Sequence, residues 1–231
     1  MCGRYVINED PARLADYFRV ERTVTDTIDV SFNVAPTDRV YAIAEHDGVR
    51  QMGGFRWGLI PHWSKDAKGP LNINARAETV VSKPAFRDSF RRKRCILPAS
   101  GFFEWEPKER GRLPHYITMT DGRPMAMAGI WASWRDPETD LWLRSCSIIT
   151  TGANHKVASI HARMPVILPP EHWDLWLDRD MGDTDALAPL LVPIDADQIQ
   201  EHAVSTLVNS VRNNLAENIL PLPPPPTRMG D

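Results

Sequence analysis

The dipeptide Asp47-Gly48 stands between two runs of β-type residues, Val40 to Glu45 and Val49 to Trp57. A two-residue turn needs left-handed backbone at both positions, which aspartate tolerates and glycine supplies, so the chain is committed here to an antiparallel hairpin. Gly53-Gly54 inside the second run marks a bulge or a close backbone approach. Three further strands are read at His115 to Thr120, Met125 to Trp131 and Leu141 to Thr151, the first two joined through Asp121-Gly122, and a last one lies within His202 to Val208.

The helical signals are short by comparison. Asp10 before Pro11 is a helix start, with Leu14, Tyr17 and Phe18 on one face and an end near Val20. Ser82 to Arg94 reads as a helix with Pro84 near its start, Phe86 and Phe90 on the buried face, and Arg87, Arg91, Arg92, Lys93 and Arg94 carried outward. Pro169-Pro170 opens a helix whose Trp173, Trp176 and Leu177 share a core-facing stripe. Pro189 interrupts another from Thr184 to Leu191.

The 231 residues, 42% of them hydrophobic, suit one domain, placed at 1–218, followed by a proline-rich tail at 219–231 that is polyproline-like or disordered. No apolar run reaches bilayer length and no charged-then-apolar leader opens the chain, so a soluble, cytoplasmic protein is expected. Its three cysteines are far apart and form no CxxC pair, which argues against a disulfide or zinc scaffold and makes Cys95 and Cys146 small core residues. The seven histidines form no HExxH motif, and neither a metal nor a cofactor is expected. Net charge is −3, yet the basic residues cluster between Arg87 and Arg94 while acid collects between Glu171 and Glu201. The cluster is either a phosphate-binding face or a solvated helix face.

Several stretches carry chemistry. Removal of Met1 leaves Cys2 with an α-amine beside its thiol, a pair that traps aldehydes as an imine and then a five-membered thiazolidine. Taken alone, the same residue has an inconsequential frayed terminus as its plainer reading. Glu104, between Phe103 and Trp105, is a raised-pKa proton carrier if it points inward and an ordinary strand glutamate if outward. His161 interrupts an apolar run as a structural histidine or a proton carrier. Leu71 to Glu78 crowds amide, guanidinium and carboxylate groups into eight residues, with alternate ones facing a site. Trp57 reads as core. Trp63, in a loop after Pro61, is either core or an exposed ring able to stack on an unpaired base.

Five blocks in order, Cys2-Gly3-Arg4, Asn33-Val34-Ala35-Pro36, Asn74-Ala75-Arg76-Ala77-Glu78, Gly101-Phe102-Phe103-Glu104-Trp105 and Ile160 to Pro165, resemble the signatures of the SRAP (SOS response-associated peptidase) family from residue 2 to about residue 210. The resemblance implies a single α+β domain with a curved, barrel-like antiparallel β core flanked by short helices. It implies action on abasic sites in single-stranded DNA by a thiazolidine cross-link through Cys2, with abasic lyase chemistry and self-processing of the residue before the cysteine; separately, a monomer is expected.

Carried over by position, Asn74 orients Cys2, Glu104 moves protons and His161 opens the closed sugar. Arg4, Arg76 and Arg163 grip phosphates, Trp63 stacks beside the lesion, and Asn33, Pro36 and Thr150 touch the DNA. The loop reads His62-Trp63-Ser64 where some relatives place two adjacent tryptophans, which implies a smaller stacking surface. Two other readings stand beside this one: a cysteine hydrolase using Cys2, His161 and Asn74, and a non-covalent reader of modified bases.

Overall fold

The computed structural model describes residues 2–223. Most of the proline run, Pro224 to Pro226, lies outside the described residues, as does Met1. The strands are β1 (Tyr5–Ile7), β2 (Arg22–Thr23), β3 (Ser31–Val34), β4 (Arg39–His46), β5 (Val49–Trp57), β6 (Asn74–Arg76), β7 (Arg94–Ala99), β8 (Gly101–Pro107), β9 (Arg112–Met119), β10 (Met125–Arg135), β11 (Trp142–Gly152), β12 (Arg163–Pro165) and β13 (Ile199–Ala203). Short helices flank them: α1 (Pro11–Tyr17), α2 (Arg87–Arg92), α3 (His155–Ala158), α4 (Trp173–Leu177) and α5 (Thr184–Leu187).

The β4–β5 hairpin turns at Asp47 and Gly48, whose φ angles are 53° and 71°, and its register runs unbroken from His46↔Val49 to Arg39↔Arg56. Gly53-Gly54 therefore marks no bulge. It marks a close approach, because a Cβ on Gly54 would lie 2.6 Å from the Arg39 guanidinium. From this hairpin the ladder passes β4 to β7, β7 to β10 and β10 to β11. It closes where β11 pairs with β5 at Ser145↔Arg56 and Cys146↔Trp57. The closing pair is parallel, although the rest of the ring is antiparallel. A closed ring has no free edge inside it, which protects the backbone groups of these long strands from pairing elsewhere.

A second sheet, in the order β13-β9-β8-β1-β3, packs beside the barrel. Strand alternation divides its side chains. Tyr5, Ile7 and Phe102 join the main core with Trp57, Ile148 and Met127, while Val6, Phe103 and Tyr116 form a smaller cluster with Val204 and Val208. Tyr5 meets Trp57 edge-on at 5.2 Å, so the two sheets share one core at the start of the chain.

The helices are shorter than the sequence signals. Asp10 caps α1 by accepting from Ala12 and Arg13, and the helix ends at Tyr17, with Arg19 in the left-handed region. The reading of Ser82 to Arg94 as one helix is corrected: only Arg87–Arg92 is helical, and Arg94 turns inward. Its guanidinium donates to the carbonyls of Trp176 (2.7 Å), Phe90 (2.9 Å), Arg91 (2.5 Å), Met181 (3.0 Å) and Asp178. Phe86, Phe90, Trp173, Trp176 and Leu177 are buried. The last strand lies at Ile199–Ala203, earlier than the segment His202 to Val208, because Thr206–Asn209 forms a 3₁₀ turn instead. Beyond it, Pro221 pairs with Val204 and the Leu222 N–H donates to Ala203, which keeps this part of the chain on the body of the domain. Among the described residues no helix is long and apolar enough to cross a membrane.

Candidate active site around Cys2

Cys2 enters the core just before β1 and is fully buried. The pairing of β1 with β8, extended by the bond from the Phe103 N–H to the Arg4 carbonyl, lays β8 alongside the first residues. Close approach of the neighbouring strand requires Gly101, since a Cβ there would lie 2.5 Å from the Ile117 carbonyl. Glu104 is two residues beyond Phe102 on the same strand face. It therefore points toward the main core rather than between its neighbours Phe103 and Trp105, and only 2% of it is exposed. Burial raises its carboxyl above the ordinary glutamate value, and His161 pulls in the opposite direction. Burial likewise pushes the Cys2 thiol far up, the Glu104 charge adds to this, and the Arg4 backbone N–H donating to sulfur offsets part of it.

Asn74 comes from the opposite side. Parallel pairing of β6 with β11, Ile148↔Asn74 through Thr150↔Arg76, carries it across the barrel wall, where its Nδ2 donates to the Cys2 carbonyl at 2.8 Å. Its Oδ1 is buried with no partner among the described residues.

His161 follows α3, whose first turn is capped by Asn154 accepting from Val157 at 3.0 Å. His161 Nδ1 lies 3.0 Å from the Arg163 backbone N–H and 3.1 Å from the Arg163 carbonyl, so it accepts from the first in one tautomer and donates to the second in the other. Glu104 Oε1 lies 3.8 Å from Nδ1. Cys2, Asn74, Glu104 and His161 thus converge from four separate segments into one cluster, with Cys2 and Glu104 buried and Asn74 and His161 half-buried.

The remaining predicted residues fall into three settings. Arg163 is engaged within the protein: its Nη2 donates to Glu78 Oε2 at 3.0 Å and to the Thr150 carbonyl at 2.6 Å, and its Nη1 pairs with Glu78 Oε1. Thr150 is buried beneath it. Arg4 Nη1 donates to Asn33 Oδ1 at 2.6 Å and to the Val208 carbonyl at 3.0 Å, while the buried Asn33 donates to the carbonyls of Val208, Ser210 and Asn213. This pair ties the loop after β13 to the first strand. Arg76 is exposed at the end of β6, Pro36 is half-buried in the turn before β4, and Trp63 is 57% exposed.

The Trp63 ring borders a cleft of about 200 Å³ that also includes Arg56, Pro61, Leu71 and Asn72, and Asn72 bonds to Leu59 two residues before Asn74. Trp134 fixes the base of this loop by donating to the Ser64 carbonyl at 2.7 Å. Glu78 is the residue the sequence reading left without a role, although it stood inside the Asn74 to Glu78 block. Among the described residues no group of three or more His, Cys, Asp or Glu side chains is placed to hold a metal ion.

Residues 1–211 match the family model SOS response associated peptidase, SRAP. The chain belongs to the SRAP family. Its SRAP relatives include the abasic site processing protein YoqW of Bacillus subtilis, 40% identical over 222 residues that make up 95% of this chain and 99% of that protein. Another is the abasic site processing protein YedK of Escherichia coli, 33% identical, with 96% of this chain and 100% of that protein covered. The SRAP fold described above also matches the crystal structure of a protein from Bacteroides thetaiotaomicron with a TM-score of 0.86 at 28% identity, covering 96% of this chain and 100% of that one.

Proposed function

We propose that this protein processes abasic sites in single-stranded DNA by capturing the lesion on Cys2. The observation that carries the reading is the enclosure of Cys2 by Asn74 and by a Glu104 whose carboxyl is raised by burial. The names of its relatives, which are abasic site processing proteins, support the substrate. Removal of Met1 exposes the α-amine, and self-processing of that peptide bond fits the peptidase in the family's description.

Each step then has a residue for its proton. His161, as the imidazolium, protonates the ring oxygen while the C1′ hydroxyl gives its proton to the Glu104 carboxylate, and the closed sugar opens to the aldehyde. The Cys2 amine adds to C1′, and the carbinolamine expels water with a proton from Glu104. The thiol sulfur adds to the imine carbon, its proton passes to the Glu104 carboxylate, and the imine nitrogen regains a proton. The net reaction is aminothiol plus aldehyde giving thiazolidine plus water. The same imine can lose the 3′ phosphate by β-elimination, the lyase branch, and ring closure competes with that loss. Asn74 holds the Cys2 backbone so that amine and thiol meet one carbon.

Arg4, Arg76 and Arg163 form the phosphate-binding line, with Asn33, Pro36 and Thr150 beside it and Trp63 stacking next to the lesion. The protein acts as a monomer in the cytoplasm. The test is incubation with single-stranded DNA carrying one abasic site, followed by a denaturing gel and an intact-mass measurement of the N-terminus. A slow-migrating species that needs a Met1-free chain and vanishes in Cys2→Ala supports the reading. Only dissociable binding, or an adduct through another side chain, refutes it.

A further inference from the structure

The barrel wall that carries Asn74 closes beside Trp57, and at its other end the barrel is open. There β5 and β11 part beyond the Ser145↔Arg56 pair. The edge of β5 is taken by β2 at Arg22↔Gln51, and residues 142–144 of β11 keep only β10 as a strand neighbour among the described residues. By strand alternation Ala44 and His46 of β4, Gly53 and Phe55 of β5, Trp131 of β10 and Arg144 of β11 all turn into this mouth. They line a recess of about 40 Å³ that opens into a groove of about 490 Å³ bordered by Arg22 and Val49. Arg144 at the mouth and Thr150 under Arg163 are about 20 Å apart along β11, at roughly 3.3 Å per residue.

The floor of the mouth is apolar and its rim is basic. Phe55 meets Trp131 edge-on at 5.6 Å, and Gly53 leaves the recess unfilled, since a Cβ there would lie 3.2 Å from the Phe55 ring. Lys93 Nζ stands 5.3 Å from the centre of the Trp131 ring. Burial lowers the Lys93 pKa and the Arg179 charge adds to this, so an anion arriving here relieves a like-charge repulsion. The Arg22 and Arg144 side chains are exposed and enter no ion pair among the described residues. Next to them Trp142 is 67% exposed, with the Arg135 guanidinium 5.9 Å from its ring centre. Two carboxylates border the mouth. Asp47 is paired with His46 Nδ1 at 3.0 Å, and Glu45 projects from the other face of β4, beside Arg50 and Asp178. Tryptophan and arginine around an apolar pocket are the side chains that dominate binding energy at protein interfaces.

We propose that the open barrel end docks an acidic segment of a partner protein, which places one aliphatic side chain in the recess against Phe55 and Trp131 and its carboxylates on Arg22, Arg144 and Lys93. Charge complementarity selects this occupant, because three cations rim an apolar floor and the bordering acids are engaged or turned away. The recess takes the tip of an aliphatic side chain and is too small for a nucleobase, which favours a peptide over a nucleic acid. The mouth is remote from Cys2, so a partner is held there whether or not the Cys2 pocket is occupied, and the inference stands independently of what Cys2 captures.

Three pools of short fluorescein-labelled peptides test it: acidic peptides with one leucine at varied positions, the same peptides with serine for leucine, and the same peptides with lysine for each acid. In anisotropy titrations the full-length protein should bind the first pool at least about tenfold more tightly than either of the others, and added salt should weaken that binding. Arg22→Glu and Arg144→Glu, both at exposed positions, should each weaken it about tenfold or more with Tm unchanged. Arg144→Lys, which keeps the cation, should retain most of it. No preference among the pools, or binding of the first pool that survives both charge reversals, overturns the proposal. An equal loss of affinity for undamaged single-stranded DNA in Arg144→Glu also overturns it, by assigning the mouth to nucleic acid. So does a dimer in sedimentation that Arg144→Glu dissociates, which assigns the mouth to a second copy of the chain.

Discussion

Asn74 donates its side-chain amide to the backbone carbonyl of Cys2 at 2.8 Å, across the boundary between the barrel and the second sheet. Because the acceptor is a carbonyl, the amide orientation is fixed and Oδ1 is left buried without a partner among the described residues. Asn74→Ala removes a bond worth about 1 kcal/mol net. Adduct formation with abasic single-stranded DNA should slow about tenfold, with affinity for undamaged single strands unchanged. Asn74→Asp should be slower still, since a carboxylate oxygen would face the Cys2 carbonyl oxygen. Single-turnover gel assays and fluorescence anisotropy measure the two effects separately, and a parallel loss of both would return Asn74 to a general structural role.

Glu104 opposes stability, and in the proposed reaction it carries the protons. Its folded-state pKa is raised by burial, so above the ordinary carboxyl value of about 4.3 the unfolded chain gives up this proton while the folded one retains it. Unfolding is then increasingly favoured as pH climbs from that value through the raised one, and below it the contribution vanishes. Glu104→Gln should accordingly gain Tm relative to the parent as pH rises from 4 toward 8, while adduct formation and its reversal slow by about a hundredfold or more. Calorimetry across pH, paired with adduct kinetics, is the check. A stability difference that stays flat with pH contradicts the assignment.

Arg94 shows how burial alters a charge reading. Desolvation lowers its pKa to about 10, so the group is still cationic at neutral pH, and every N–H it points inward meets a carbonyl. Arg94→Met leaves these carbonyls without donors and should cost at least about 3 kcal/mol in urea denaturation. Arg94→Lys, with three donors on one atom, should recover only part of that loss.

The hairpin at Asp47-Gly48, the α1 start at Asp10-Pro11 and the aromatic stripe of α4 were legible because each is decided by local chemistry: turn geometry, capping, or one-face periodicity. Arg94 was misread outward because charge density in sequence carries no sign of which carbonyls converge from α4 and the loop after it, about 80 residues away. The inward turn of Glu104 was equally undecidable locally, since it depends on β1 lying against β8. The parallel closure of β11 on β5 joins strands almost 90 residues apart and leaves no local trace. Cys2 and His161 stood out as candidates by their own chemistry, but their joint site and the pairing of Asn74 with Cys2 were nameable only through a resemblance spread over several blocks, while Glu78 stood inside one of those blocks and was passed over.

Glu78 occupies the fork of Arg163 that would otherwise meet a phosphate. The hydrogen bond from Arg163 lowers the Glu78 pKa below the ordinary carboxylate range, so the carboxylate is charged at neutral pH and, in the proposed DNA complex, would compete with phosphate for the same donors. More than half of the Glu78 side chain is exposed, which screens the pair and would let a phosphate displace it in the proposed complex. Glu78→Gln removes the competing charge and keeps a hydrogen-bonding group of the same size. Affinity for single-stranded DNA should rise severalfold at low salt, and the slope of log K against log salt should steepen by about 0.7, the signature of one more phosphate neutralised on a single strand. Acid should act on the parent protein in the same direction, because protonating Glu78 frees Arg163, and Glu78→Gln should lack that component of the pH dependence. Anisotropy titrations over a salt series at two pH values measure both effects. If Glu78 instead holds Arg163 in its binding geometry, Glu78→Gln will lose affinity and the slope will flatten, the opposite sign in each case.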